Sequence, residues 1–247
     1  MSEEIPKLQR EAELAMANKR WRRAVEIYTR LIVEPGSPAP PESRFTYHLN
    51  RGLALRAMGR SKEALEDYLA AAELNPTSWK PHHNRGLIYA QDLQNFSEAV
   101  AAFDLALTLN PMDVDSLVAR GAARGSAGDS EGSKQDLEAA ISLQPDNMEA
   151  LYNLGNLCLD AGDPAAAAKL YEQAQRVAPF DLAIRKNRSI ALARVRSGIT
   201  NPRAVGIGVQ PAMRSDSKPV HARRRGGCVM FVLLIVALYV VWRLWLR

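Results

Sequence analysis

Residues 49–54 read LNRGLA and residues 83–88 read HNRGLI, so the phrase Asn-Arg-Gly-Leu occurs twice with the glycines at 52 and 86. Sliding the chain past itself shows that the echo is systematic. Gly52 and Gly86 are followed in phase by Gly121 and Gly155, and each is answered downstream by a proline. Those prolines, Pro76, Pro111, Pro145 and Pro179, are spaced by 35, 34 and 34 residues. Between glycine and proline runs a small-aromatic-small phrase: Ala64, Tyr68, Ala71; then Ala99, Phe103, Ala106; then Ala167, Tyr171, Ala174. Ser133, Leu137 and Ala140 repeat it more loosely. A fixed period in this range signals stacked repeats, each too small to bury its apolar face alone.

The residue types follow from packing. Two antiparallel helices approach closely only where small residues face each other, and an aromatic then fills the space between them. A proline stops the second helix, having no N–H to donate and clashing with the preceding turn. Gly59, Gly128 and Gly162 stand where each first helix is expected to end in a left-handed cap. This phrase resembles the tetratricopeptide repeat, whose pattern runs Trp, Leu-Gly, Tyr, Ala, Phe and Pro over about 34 residues. The resemblance covers roughly residues 5–180. It implies an all-α fold, a right-handed superhelical solenoid of antiparallel helix pairs.

The departures define the expected domains. Residues 5–34, with Ala12, Ala24 and Tyr28 in phase, form a first degenerate repeat, and the PGSPAPP stretch opens a Pro-rich connection over 35–44. Four repeats follow over 45–179. His48, His82, Leu117 and Leu151 replace the usual Trp, and Arg51, Arg85 and Arg120 replace the Leu before glycine. Such an arginine at a helix edge can snorkel. The third repeat has one extra residue, placed by this reading in the turn at 93–95, lengthening a loop and leaving the helices alone. The fourth repeat has Arg124 at a normally buried aromatic position and glycines at 125, 128 and 132, which marks it as a soft joint. Residues 181–197 read as a polar-faced capping helix, which an open array needs at its end.

Charge is polarised along the chain. Residues 1–181 hold 19 Lys+Arg and 26 Asp+Glu, whereas 182–247 hold 13 Lys+Arg and only Asp216. Such asymmetry points to a tail that meets nucleic acid or membrane. The run CVMFVLLIVALYVVW at 228–242 decides for membrane, because nucleic acid offers an apolar run nothing to bury against. Counted to Leu246, the run reaches about 28 Å as a helix, close to a hydrocarbon core of ~30 Å. The reading is therefore a flexible basic tether at 198–225 and one C-terminal transmembrane helix at 226–246. Arg223, Arg224 and Arg225 flank it, and the positive-inside tendency places the repeats in the cytoplasm. The acidic start, MSEEIPKLQR, has no apolar core, so no secretory signal is expected. The arrangement resembles a tail-anchored, single-pass protein of the mitochondrial outer membrane if eukaryotic, or of the inner membrane if bacterial. Cys228 beside the basic flank is a candidate for palmitoylation.

Chemistry is expected elsewhere. There is no phosphate loop, nucleophile elbow or carboxylate pair set apart by its surroundings, so no catalytic residue, cofactor or metal site is assigned. Adjacent His82 and His83 point about 100° apart on a helix and lack a completing ligand. Cys158 takes a core position as a small hydrophobe. The resemblance implies that binding uses the concave face lined by each first helix. Asn50, Asn84 and Asn153 share one register there, two residues before glycine, and Lys80, Leu53, Leu87 and Asn156 are assigned to the same groove. An asparagine amide both donates and accepts, so a row of them can hold a peptide backbone, or alternatively satisfy carbonyls between repeats. The leading expectation is a membrane-anchored scaffold that binds a protein or extended peptide. One alternative is a chaperone-docking receptor that grips an acidic C-terminus: Asn50 and Lys80 match that pattern, but Gln9, Glu13 and Asn84 do not. The other is a self-associating protein that shapes or coats a membrane.

Overall fold

The computed structural model describes residues 4–33 and 41–198, all of which belong to one compact unit. Most of the Pro-rich connection, the tether, the predicted anchor and Arg223, Arg224, Arg225 and Cys228 lie outside the described residues. Eleven α-helices and one π-helical turn make up the described chain, with no strand among them. The helices come in pairs: α1 (Glu4–Ala17) with α2 (Trp21–Val33), α3 (Pro41–Ala57) with α4 (Ser61–Leu74), and α5 (Lys80–Leu87) with α6 (Phe96–Leu109). Then follow α7 (Val114–Ala127) with α8 (Ser130–Leu143), α9 (Met148–Asp160) with α10 (Pro164–Val177), and the cap α11 (Leu182–Ser197). Each helix packs on the one before it and the one after it in sequence. The described chain is thus the all-α solenoid of helix pairs that the repeat implied. Among the described residues no helix is long and apolar enough to cross a membrane.

Local chemistry sets the helix ends. Asp113, Asp129, Asn147, Asp163 and Asp181 each cap a helix by accepting from a backbone N–H in its first turn, at 2.8–3.0 Å, satisfying a donor the helix cannot. Gly59, Gly128 and Gly162 take φ of 77°, 92° and 85° after their helices, as the sequence predicted. At the equivalent places Lys19 and Gln94 adopt φ of 55° and 53°, a conformation that L-residues other than glycine take less readily.

Two boundaries differ from the sequence reading. α3 begins at Pro41, so residues 41–44 of the expected connection form its first turn; proline is at home there because its missing N–H would be unpaired anyway. The extra residue of the third repeat does not lengthen a loop. It widens the first helix into a π turn at Ile88–Asp92, with Leu93 N–H reaching back to Ile88 O at 3.1 Å. Helix rather than loop absorbs it because the exit is fixed: Asn95 must cap α6, and Asp92 is held by Arg56 at 3.3 Å and by the Ser61 hydroxyl at 2.7 Å.

The core explains the repeated glycine. A Cβ added to Gly52 would lie 2.7 Å from the Tyr68 ring, to Gly86 2.6 Å from Phe103, and to Gly155 2.6 Å from Tyr171. Those three rings are fully buried, so the first helix must present bare backbone for the aromatic to enter. In the fourth pair the smaller Leu137 leaves 3.0 Å at Gly121. Neighbouring pairs complete each other's cores: Phe103 clusters with Ala123 of the next pair, and Tyr28 with Tyr47 and Ala54. This is the nearest-neighbour construction of a linear repeat array.

In the second and fourth pairs buried charge is paired across the two helices. Arg51 donates to both oxygens of Asp67 at 2.7 and 2.8 Å, and His48 meets the same carboxylate at 2.9 Å. Arg120 likewise grips Asp136 at 2.6 and 2.9 Å and reaches Asp104 on α6 at 2.6 Å. Arg124, at the position usually given to an aromatic, is not stranded: it joins the same Asp136 at 2.9 Å.

Candidate peptide-binding groove

The face of the first helices opens into a polar pocket between α1, α2 and α3, lined by Gln9, Glu13, Tyr28, Glu42, Ser43, Thr46, Tyr47 and Asn50. Its walls are braced by their own polar atoms. The Gln9 amide donates to the Tyr47 hydroxyl, and the Asn50 amide donates to the Tyr28 hydroxyl at 3.2 Å. Burial pushes the Tyr28 phenol above its ordinary pKa against the pull of that hydrogen bond, so it stays protonated. Glu13 and Glu42 leave the pocket acidic.

The predicted asparagines share a register but not an environment. Asn50 is half-buried and bridges to the preceding pair; Asn84 is half-buried. Asn153 is only 9% exposed, and its Nδ2 is buried without a hydrogen-bond partner. The residue one repeat back differs from that at Asn50. Where Asn50 finds Tyr28, Asn153 has Leu137 at the matching position, which offers no hydroxyl. A buried amide donor left unpaired costs about 1–3 kcal/mol. Asn156 is buried in the joint with the cap, accepting from the Tyr171 hydroxyl at 2.7 Å and from Asn187 at 2.9 Å. Lys80 is exposed, Leu53 is 37% exposed, and Leu87 packs half-buried against the Ala90 and Phe103 cluster.

Several participants escaped the sequence reading. Asn187 donates to the Tyr152 hydroxyl at 2.9 Å as well as to Asn156. It lies in phase with Asn153, so carrying the period into the cap would have found it. Asp115 and Glu149 occupy in α7 and α9 the register that Lys80 holds in α5. The Glu149 carboxyl is pushed up to about 6, first by burial and then by the Asp115 charge. The residue as a whole is exposed, so water screens part of that lift.

His83 Nδ1 lies 2.7 Å from the Ser116 hydroxyl, its ring meets Trp79 and Phe103 edge-on, and burial lowers its pKa although Asp113 and Asp115 oppose the shift. Burial raises the Cys158 thiol, keeping it from the reactive thiolate. Among the described residues no three His, Cys, Asp or Glu side chains gather to hold a metal ion. What the face offers is hydrogen-bond donors, acceptors and carboxylates in a repeating register.

Comparison with known proteins agrees with this geometry. Tetratricopeptide-repeat families match residues 52–92, 80–112 and 118–181. The BBSome complex member BBS4 of Xenopus tropicalis is 36% identical over 98 residues, 40% of this chain and 19% of that protein. The chain therefore spans about a fifth of the curated relatives it matches. A solved tetratricopeptide repeat protein from Parabacteroides merdae superposes with a TM-score of 0.64 at 18% identity, covering 78% of each chain. YrrB, described as a TPR protein with an unusual peptide-binding site, gives 0.56 at 18% identity over 75% of this chain and 88% of its own. At such identities the likeness is one of fold.

Proposed function

Starting from a chain that carries tetratricopeptide repeats, we propose that it is a membrane-held scaffold whose repeats bind a partner protein through an extended segment laid along the first-helix face. The observation that supports this most is the polar pocket between α1, α2 and α3, whose lining pairs only partly with itself and whose asparagine recurs along the array. The peptide-binding site named for YrrB is consistent with such a use of the fold. The anchor in this reading is the apolar run at 226–246, with Arg223, Arg224 and Arg225 on the cytoplasmic side.

The partner test uses Asn50, Asn84 and Asn153. Changing all three to Ala in the full-length chain is expected to weaken a captured partner by roughly 0.5–1.5 kcal/mol per lost net hydrogen bond. Calorimetry against that partner, with thermal melting of the same protein, reads both effects. A variant that melts early but binds normally makes the asparagines packing devices and withdraws the groove.

A further inference from the structure

We infer that the far half of the groove, on α7 and α9, recognises a basic residue in an extended peptide: Asp115 and Glu149 take its cation, and the Asn153 amide takes a neighbouring backbone carbonyl. This rests on the groove reading above and names the chemistry of its ligand.

Asp115 and Glu149 sit at one register on two first helices that touch each other. Both side chains are exposed, and among the described residues neither is in an ion pair. Acidic residues in a helix's first turn are favoured by the helix dipole whatever they bind, so their presence alone says little. Two further observations point to a ligand. The Glu149 carboxyl is raised, first by burial and only then by the Asp115 charge, so within that shift the two acids repel each other in the free protein. A cation placed between them removes that repulsion. Independently, Asn153 lies one turn beyond Glu149 on the same face of α9, 9% exposed, with its amide donor buried and unpartnered. Its register counterpart Asn50 lines the open pocket at the other end. A stranded donor one turn from two unpaired carboxylates fits a peptide carbonyl beside an Arg or Lys side chain. It does not fit an acidic C-terminus, which the carboxylates would repel.

The test uses the full-length chain in a mild detergent and a labelled Gly-Ser peptide with three central arginines, beside a counterpart with three glutamates. Fluorescence anisotropy is expected to show binding of the arginine peptide and none of the glutamate peptide. D115N/E149Q is expected to weaken binding about tenfold or more, while E131Q/E138Q, on the exposed face of α8, leaves it unchanged. N153L is a second and independent arm. Because it removes a donor that the free protein leaves unpaired, it should weaken the peptide without lowering the melting temperature, and it carries the test if the double variant does not fold. Preference for the glutamate peptide, equal loss in E131Q/E138Q, or an N153L protein that melts early yet binds normally overturns the inference. Binding that ignores D115N/E149Q but is lost in E13Q/N50A also overturns it and leaves the groove reading standing; binding indifferent to every one of these changes removes the groove reading too.

Discussion

Gly86 shows how tightly a single residue is fixed. An added methyl would sit 2.6 Å from the Phe103 ring, and overpacking a filled core costs about 1–3 kcal/mol. Gly86→Ala should therefore lower stability by that amount in urea denaturation. The loss should shrink in a Phe103→Leu background, because Gly121 and Leu137 already show the looser pairing; additive losses would refute the packing account. Asp67 makes a pH-dependent prediction. Burial alone would raise its carboxyl, but hydrogen bonds from Arg51 and His48 outweigh that and hold it low. A carboxylate depressed by folding contributes stability above its unfolded pKa of ~3.9 and loses it as pH falls through the folded value. Asp67→Asn should thus be destabilised by roughly 3–5 kcal/mol at neutral pH, since it strands a buried arginine. The gap from wild type should narrow below about pH 4, and chemical melts across pH check this. The glycine and aromatic positions were readable in the sequence because both belong to one repeat. The orphaned amide of Asn153 was not, because whether a shared register ends in a hydrogen bond is settled by packing between repeats, as the equally unpartnered Tyr68 hydroxyl shows.

At the scale of the element, the fourth pair is the one to open first. Its aromatic positions hold Arg124 and Leu137, and Gly125 and Gly132 lie within α7 and α8. Its buried charges are paired, but a linear array has no distant contacts to support a pair with less apolar burial. Hydrogen exchange should run faster across 114–140 than across 148–175, and equal protection would count against it. The period located these helices well. It could not place the extra residue of the third repeat, because a helix and a loop can both absorb one. The decision was made by the fixed neighbours of the π turn, Arg56, Ser61 and the Asn95 cap, which are tertiary facts.

Across the whole molecule, the acidic repeats and basic tail divide the labour proposed here between binding and attachment. Deleting residues 226–247 should release the protein from membrane pellets while leaving the far-UV helical signal nearly unchanged, and fractionation with circular dichroism reads both. A truncated chain that still pellets removes the anchor. The buried arginine clasps carry one more consequence. Arg51 finds Asp67 and Arg120 finds Asp136, whereas in the third pair the place of the acid is taken by Ala102, and Arg85 Nε stays buried without a partner. In the fifth pair Leu154 and Leu170 stand at the two places. Near-identical modules invite swapping and misassembly during folding. Here α3 docked on α6, or α7 on α10, would bury its guanidinium against alanine or leucine, so the two clasps bar their first helices from the third and fifth pairs while leaving α3 and α7 interchangeable with each other.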